Sequence, residues 1–99
     1  MVRLGQAGEA AVRAVADIGP KIAIKVAERI RIPDGLTDRV LTEVKNVAYQ
    51  AWTRQLGDYA TYAMDQGLRF DLWLRAGATL SEPLKEAGRS GLVNLRWIP

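Results

Sequence analysis

Ninety-nine residues, 48% hydrophobic and 25% charged, suit one folded domain spanning 1–99 and set intrinsic disorder aside. The lack of cysteine excludes disulfide frameworks, thiolate zinc sites and cysteine nucleophiles; the lack of histidine excludes Ser-His-Asp hydrolysis, His-metal nucleases, zinc deaminases and His-pair ribonucleases. Chemistry is left to carboxylates, lysine, amides, hydroxyls or a hard metal ion, and a net charge of +3 is compatible with a polyanionic partner without requiring one.

No apolar run approaches the roughly 18 residues of a membrane span, and no charged-then-apolar leader opens the chain, so any export would depend on sequence outside it. Gly5 to Ile18 is Ala-rich, with Ala7, Ala11, Val15 and Ile18 at helical spacing, and predicts an amphipathic helix ended by Gly19-Pro20. Ile22, Ile24 and Val26 alternate in a strand over 21–26. A short turn at Ala27-Glu28 leads to a second strand over 29–34, where Ile30 and Ile32 share the parity of Asp34 and Pro33 falls at the fraying end. Gly35 to Asp38 reads as a turn, and 39–47 as a third strand with Leu41, Glu43, Lys45 and Val47 on one face.

The period becomes helical from Gln50 to Gln66. Trp52, Leu56, Ala60, Ala63 and Gly67 form an apolar stripe beside a polar-aromatic face of Gln55, Tyr59, Tyr62 and Gln66, and Gly57 hints at close packing on the sheet. Arg69 to Arg75 alternates as a strand, Ser81 caps a short helix closed by Gly88 to Gly91, and Leu92 to Ile98 is a last strand. The fold class is α/β, in the order αβββαβαβ, a mixed sheet with flanking helices and the hairpin strands at its centre.

Two charges within the apolar stripe of 39–47 break the core-strand pattern, and local rules tend to yield where function is placed. Phosphodiester hydrolysis needs an activated water, a Lewis acid on a non-bridging oxygen and neutralisation of developing charge. Magnesium is content with hard oxygen ligands and several waters. Asp34 and Glu43, nine positions apart, meet if a hairpin pairs their strands, and the Val44 backbone carbonyl supplies a third ligand. Lys45 shares the face of Glu43, where its ammonium can orient the attacking water and stabilise phosphorane-like charge. Gln55 and Tyr59 can reach the site from the helix packed on the sheet, and Glu9 adds a carboxylate if the first helix turns it inward.

These residues resemble the PD-(D/E)xK nucleases, the restriction-endonuclease-like superfamily. Pro33-Asp34 and Glu43-Val44-Lys45 match its two defining motifs, Gln55 to Tyr59 matches a QxxxY helix motif of several branches, and its core order αβββαβ fits 5–75. The chain is similar, more specifically, to the restriction-endonuclease-fold toxin domains of bacterial polymorphic toxins. That similarity runs from Gly5 through RIPDGLT, LTEVKNV, RQLGDY and GLRFDLWLR to the terminal LRWIP. The resemblance implies a DNase with a Mg²⁺ requirement that Mn²⁺ can also meet. It also implies secretion or delivery as part of a larger bacterial toxin, action in the cytoplasm of a competing cell, and a cognate immunity protein in the producer.

An isolated ExK triplet or PDG turn is usually a solvated charge pair or a hairpin corner; both in order, followed by QxxxY, favour a nuclease site. Gln55 alone could be merely solvated, Tyr59 reads as support, Glu9 as easily structural, and the tryptophans as core or rim residues. Lys21, Lys25, Arg39 and Arg54 are placed to track phosphates, but surface cations are common and none of them is taken as a site residue. Two rivals stand beside a DNA endonuclease: an RNase of the same fold, with tRNA as one candidate substrate, and a catalytically idle module that binds nucleic acid or protein.

Overall fold

The structure, a computed structural model, describes residues 4–99. Its elements are α1 (Leu4–Arg13), β1 (Ile24–Val26), β2 (Arg29–Arg31), β3 (Gly35–Leu36), β4 (Val40–Lys45), β5 (Tyr49–Gln50), α2 (Arg54–Gln66), β6 (Arg69–Leu74), β7 (Thr79–Leu80), α3 (Glu82–Arg89) and β8 (Asn94–Trp97). The mixed α/β architecture expected from the sequence is present, with three short strands, β3, β5 and β7, that the residue pattern did not reveal.

The main sheet has the order β3-β4-β6-β8. Antiparallel β3 forms one edge, and β4, β6 and β8 run parallel. β1 and β2 form a separate hairpin, turning through Ala27 and Glu28 at φ 47 and 71, so of the hairpin strands expected at the centre only the one over 39–47 lies there, as β4. The centre belongs to β4 and β6, both buried on two faces, as parallel strands between helical layers usually are.

One face packs Leu41, Phe70, Leu72 and Leu74 against Leu56, Tyr59, Ala60 and Ala63 of α2 and Leu84 and Ala87 of α3. The other packs Val44 and Trp73 against Val12 of α1 and Ile18. α2 starts where Thr53 accepts from the Leu56 N–H and stops at Gly67 in the left-handed region; α3 starts where Ser81 accepts from the Leu84 N–H.

Four expectations are corrected. The first helix stops at Arg13 rather than Ile18 and buries Gly8 and Val12, leaving Val15 exposed. Gly8 sets that rotation, because a Cβ there would lie 2.8 Å from the Asn46 Cβ. In β2 the parity is inverted. Ile30 and Ile32 are exposed, while Arg29 and Arg31 turn inward because the carboxylate of Asp58, 5% exposed, awaits them: Arg29 Nε and Nη2 donate at 2.8 and 2.6 Å, and Arg31 Nε at 2.9 Å.

Gly35-Leu36 is a strand rather than a turn, pairing Gly35 with Thr42 and Leu36 with Leu41. The reversal falls at 37–39, where the Thr37 hydroxyl accepts from the Arg39 and Val40 N–H groups. Gly57 is not wedged against the sheet, since a Cβ there would meet only Trp52 Nε1, at 3.9 Å; Gly35, by contrast, lies tightly against the Ile18 backbone.

Candidate active site

The parallel strand β4 ends in Glu43, Val44 and Lys45, at the carboxyl edge where open α/β sheets place their ligands. Alternation along β4 turns Glu43 toward the α2 face and Val44 toward α1. Continuing the β3–β4 register brings Asp34 opposite Glu43 and Pro33 opposite Val44. Pro33 has no N–H to give, and the ladder gives way to side-chain bonds.

The Asp34 N–H donates to Glu43 Oε1 at 3.1 Å, and the Val44 N–H donates to Asp34 Oδ2 at 2.8 Å. A strand residue directs its N–H and C=O to the same side, so the Val44 carbonyl is aimed toward Asp34 as well. Lys45 Nζ stands 3.1 Å from Glu43 Oε2.

α1 approaches from the opposite face and reaches round the sheet edge. Glu9 Oε1 accepts from Lys21 Nζ at 2.6 Å, and the same ammonium donates to Asp34 Oδ1 at 2.8 Å. Arg13 donates to Glu9 Oε2 at 3.1 Å, to the Gly19 carbonyl at 2.8 Å and to the Asp34 carbonyl at 2.7 Å. α2 brings Tyr59, fully buried and edge-on to Phe70 with ring centroids 6.0 Å apart. Gln55 Nε2 donates to its hydroxyl across a long 3.4 Å. Asp34, Glu43, Val44, Lys45 and Glu9 thus form one linked group, and Gln55 adjoins it through Tyr59.

The electrostatics of the group are those of crowded acids. Burial, then the neighbouring Asp34 carboxylate, push the Glu43 carboxyl up to about 7 against the pull of Lys45. Burial also works to raise Asp34, but the Lys21 ammonium, the Val44 N–H and the Glu9 carboxyl outweigh it and hold Asp34 below the usual carboxylate range. Tyr59 is raised well above an ordinary phenol, first by burial and then by the charges of Glu43 and Asp34, so its hydroxyl is a neutral donor.

Arg13 draws no attention in the sequence, and Lys21 stands there only among the cations able to track phosphates. The Glu9–Arg13 spacing of four on a helix was the only available signal, and nothing local marks Lys21.

The donor set suits a hard divalent cation. Glu43 is a buried and Asp34 a partly buried oxygen donor, their mutual repulsion calls for positive charge, and the Val44 carbonyl lies on their side. Among the described residues no three Asp, Glu, His or Cys side chains converge closely enough to hold a metal, so the fitting set is two carboxylates and a carbonyl, with Glu9 behind Lys21. A cleft of about 240 Å³ elsewhere, among Ala60, Ala63, Met64, Leu68 and Phe70, shares no residue with this group.

No curated protein and no solved structure matches the chain. The family model described as restriction endonuclease fold toxin 7 matches residues 5–84, from the second residue of α1 into the start of α3 and across every member of the group just described. A match over that share of 99 residues makes the chain a member of the restriction endonuclease fold toxin 7 family, for which nuclease activity is the function class suggested.

Proposed function

We propose that this domain is a Mg²⁺-dependent DNA endonuclease, the toxin part of a larger bacterial protein delivered into the cytoplasm of competing cells and held in check in the producer by a cognate immunity protein. The observation that carries the reading is the convergence of Asp34, Glu43 and Lys45 at the end of β4, two carboxylates tied by a backbone bond with an ammonium 3.1 Å from one of them. Asp34, Glu43 and the Val44 carbonyl would hold the cation. When bound, it supplies Lewis acidity toward a non-bridging phosphate oxygen and an acidified water.

The chain's own residues do the rest. Lys45, partly exposed, presents positive charge where the phosphate would accumulate negative charge. Tyr59 stays protonated and contributes a hydrogen-bond donor and a rigid wall. The buried flank of α2 excludes water from behind Glu43.

Supercoiled plasmid incubated with Mg²⁺, with EDTA, and with a Lys45→Ala variant of normal circular dichroism tests the reading. Metal-dependent nicking lost in the variant is the expected result. Cleavage that survives both EDTA and the substitution would overturn it. Total RNA offered to the same preparations decides between polymers, since the motif chemistry serves both.

A further inference from the structure

Lys21 lies outside both motifs, yet its ammonium touches two of the group's carboxylates at 2.6 and 2.8 Å while half its side chain is exposed. The other lysines with such exposure make single, looser pairs three residues along the chain: Lys25 with Glu28 at 3.7 Å and Lys85 with Glu82 at 3.2 Å. Lys21 instead bridges acids twelve and thirteen positions away, from two different parts of the fold.

Its neighbour Arg13 spends two of its three bonds on the carbonyls of Gly19 and Asp34, which pins the backbone. Lys21 bonds only carboxylate oxygens, one of them on Asp34, a proposed cation ligand. An ammonium is a compact point charge on a flexible stem, able to fill a cation's place and to leave it by rotating its own chain.

We infer that Lys21 is a displaceable internal cation: it bridges Glu9 and Asp34 in the metal-free protein, gives up Asp34 to a divalent ion, and then serves a phosphate of the nucleic acid. The inference rests on the metal-dependent reading above. Two cations crowding one carboxylate repel, so metal binding without nucleic acid has to break the Lys21 bridge. A phosphate that accepts the released ammonium offsets that loss. Metal and nucleic acid therefore bind with positive coupling, which is reciprocal. Glu9 Oε1, released by the ammonium while Oε2 keeps its bond from Arg13, becomes available as a further oxygen donor beside Asp34.

Mn²⁺ binding, followed by the loss of the free-ion electron paramagnetic resonance signal, tests this without any turnover. Wild type, Lys21→Met, Lys21→Gln and Asp34→Asn are compared with no nucleic acid present. Both Lys21 variants are expected to bind Mn²⁺ about tenfold tighter than wild type, within the usual range of such couplings. Repeating the titrations in a Lys45→Ala background with a short DNA duplex should close most of that gap by tightening the Lys21-containing protein alone.

Equal or weaker Mn²⁺ binding by the Lys21 variants, with binding still lost in Asp34→Asn, overturns the inference and leaves the metal reading standing. Mn²⁺ binding that is absent from wild type and Lys21 variants alike, or indifferent to Asp34→Asn, overturns the metal reading itself. Unfolding curves on each variant identify any change that comes from packing; Lys21→Gln keeps a hydrogen-bond donor without the charge and guards against that case.

Discussion

Asp34 and Glu43 are joined by the backbone of one and the side chain of the other: the Asp34 N–H donates to Glu43 Oε1 at 3.1 Å. Glu43 is therefore both a proposed metal ligand and a fastener for the loop that carries its partner. The two roles separate in Glu43→Gln, which keeps the accepting oxygen and discards the charge. We predict that this variant folds no less stably than wild type while metal-supported plasmid cleavage falls at least about 100-fold, the scale of losing one preorganised electrostatic group. Retained cleavage would remove Glu43 from the site.

Stability of the metal-free protein should depend on pH through the same residue. The folded-state value of about 7 lies above the ordinary 4.5, so between these values the folded state binds more protons than the unfolded one, and stability falls as pH rises. Asp34, shifted downward, loses its contribution only at more acidic pH and stays constant across this window. Urea unfolding with EDTA at pH 5 and pH 8 should show wild type losing up to roughly 3 kcal/mol relative to Glu43→Gln. A flat difference between the two would contradict the buried, acid-crowded environment of Glu43.

Tyr59 supports the site from behind rather than reacting. Tyr59→Phe keeps the buried ring and its edge contact with Phe70 and gives up only the long bond from Gln55, so cleavage should fall less than about tenfold, below the range of a positioned acid or base. Tyr59→Ala opens a cavity among Leu41, Leu56 and Leu72 and should cost about 3–5 kcal/mol of stability, measured by denaturant unfolding. A Phe variant as inactive as Lys45→Ala would make the hydroxyl catalytic.

Gly35 has no chemistry, but it limits what can stand next to Asp34. A methyl group there would collide with the Ile18 carbonyl oxygen and lie 2.7 Å from its Cγ1, so either β3 or the segment after α1 must shift. Gly35→Ala should lower stability by about 1–3 kcal/mol, as overpacking does, and weaken Mn²⁺ binding even where the protein stays folded. Undiminished Mn²⁺ affinity in the folded variant would show that this contact does not hold Asp34 in place.

Asp58 ties the β1–β2 hairpin to α2 through Arg29 and Arg31, whose guanidinium groups hold its carboxylate far below the usual range. Asp58→Asn should lower the unfolding temperature and make the β1–β2 amides exchange with solvent faster than those of β4. Equal exchange in variant and wild type would mean that the hairpin is anchored by Ile24 and Val26 alone.

The sequence displayed the chemistry more fully than the geometry around it. Glu43 and Lys45 were conspicuous because charge interrupted an apolar stripe, and Ser81 carried an ordinary capping signal, whereas the periodicity alone drew the second helix from Gln50, in β5, instead of from its cap at Thr53. The orientation of α1 was illegible because a glycine, Gly8, makes the close contact while the larger Ala7 and Val15 face outward. The parity of β2 followed the isoleucines on paper, but two arginines facing one buried aspartate outweighed them, a partnership separated by 29 and 27 positions and invisible to any local period. Lys21 was hidden for the same reason, since both of its partners lie beyond the reach of a helical or strand repeat.

β4 is held on its inner side by β6 in parallel, with Lys45 beside Leu74, so 29 residues (74 − 45) have to be in hand before the strand bearing Glu43 and Lys45 has its neighbour. Parallel pairing of that kind cannot be made by a local hairpin, and its loop must close before its contacts form. The β3–β4 pairing that brings Asp34 to Glu43 is local, but the strand bearing Glu43 and Lys45 is braced only when the chain as far as Leu74 has docked beside it, so the site is no firmer than the sheet as a whole.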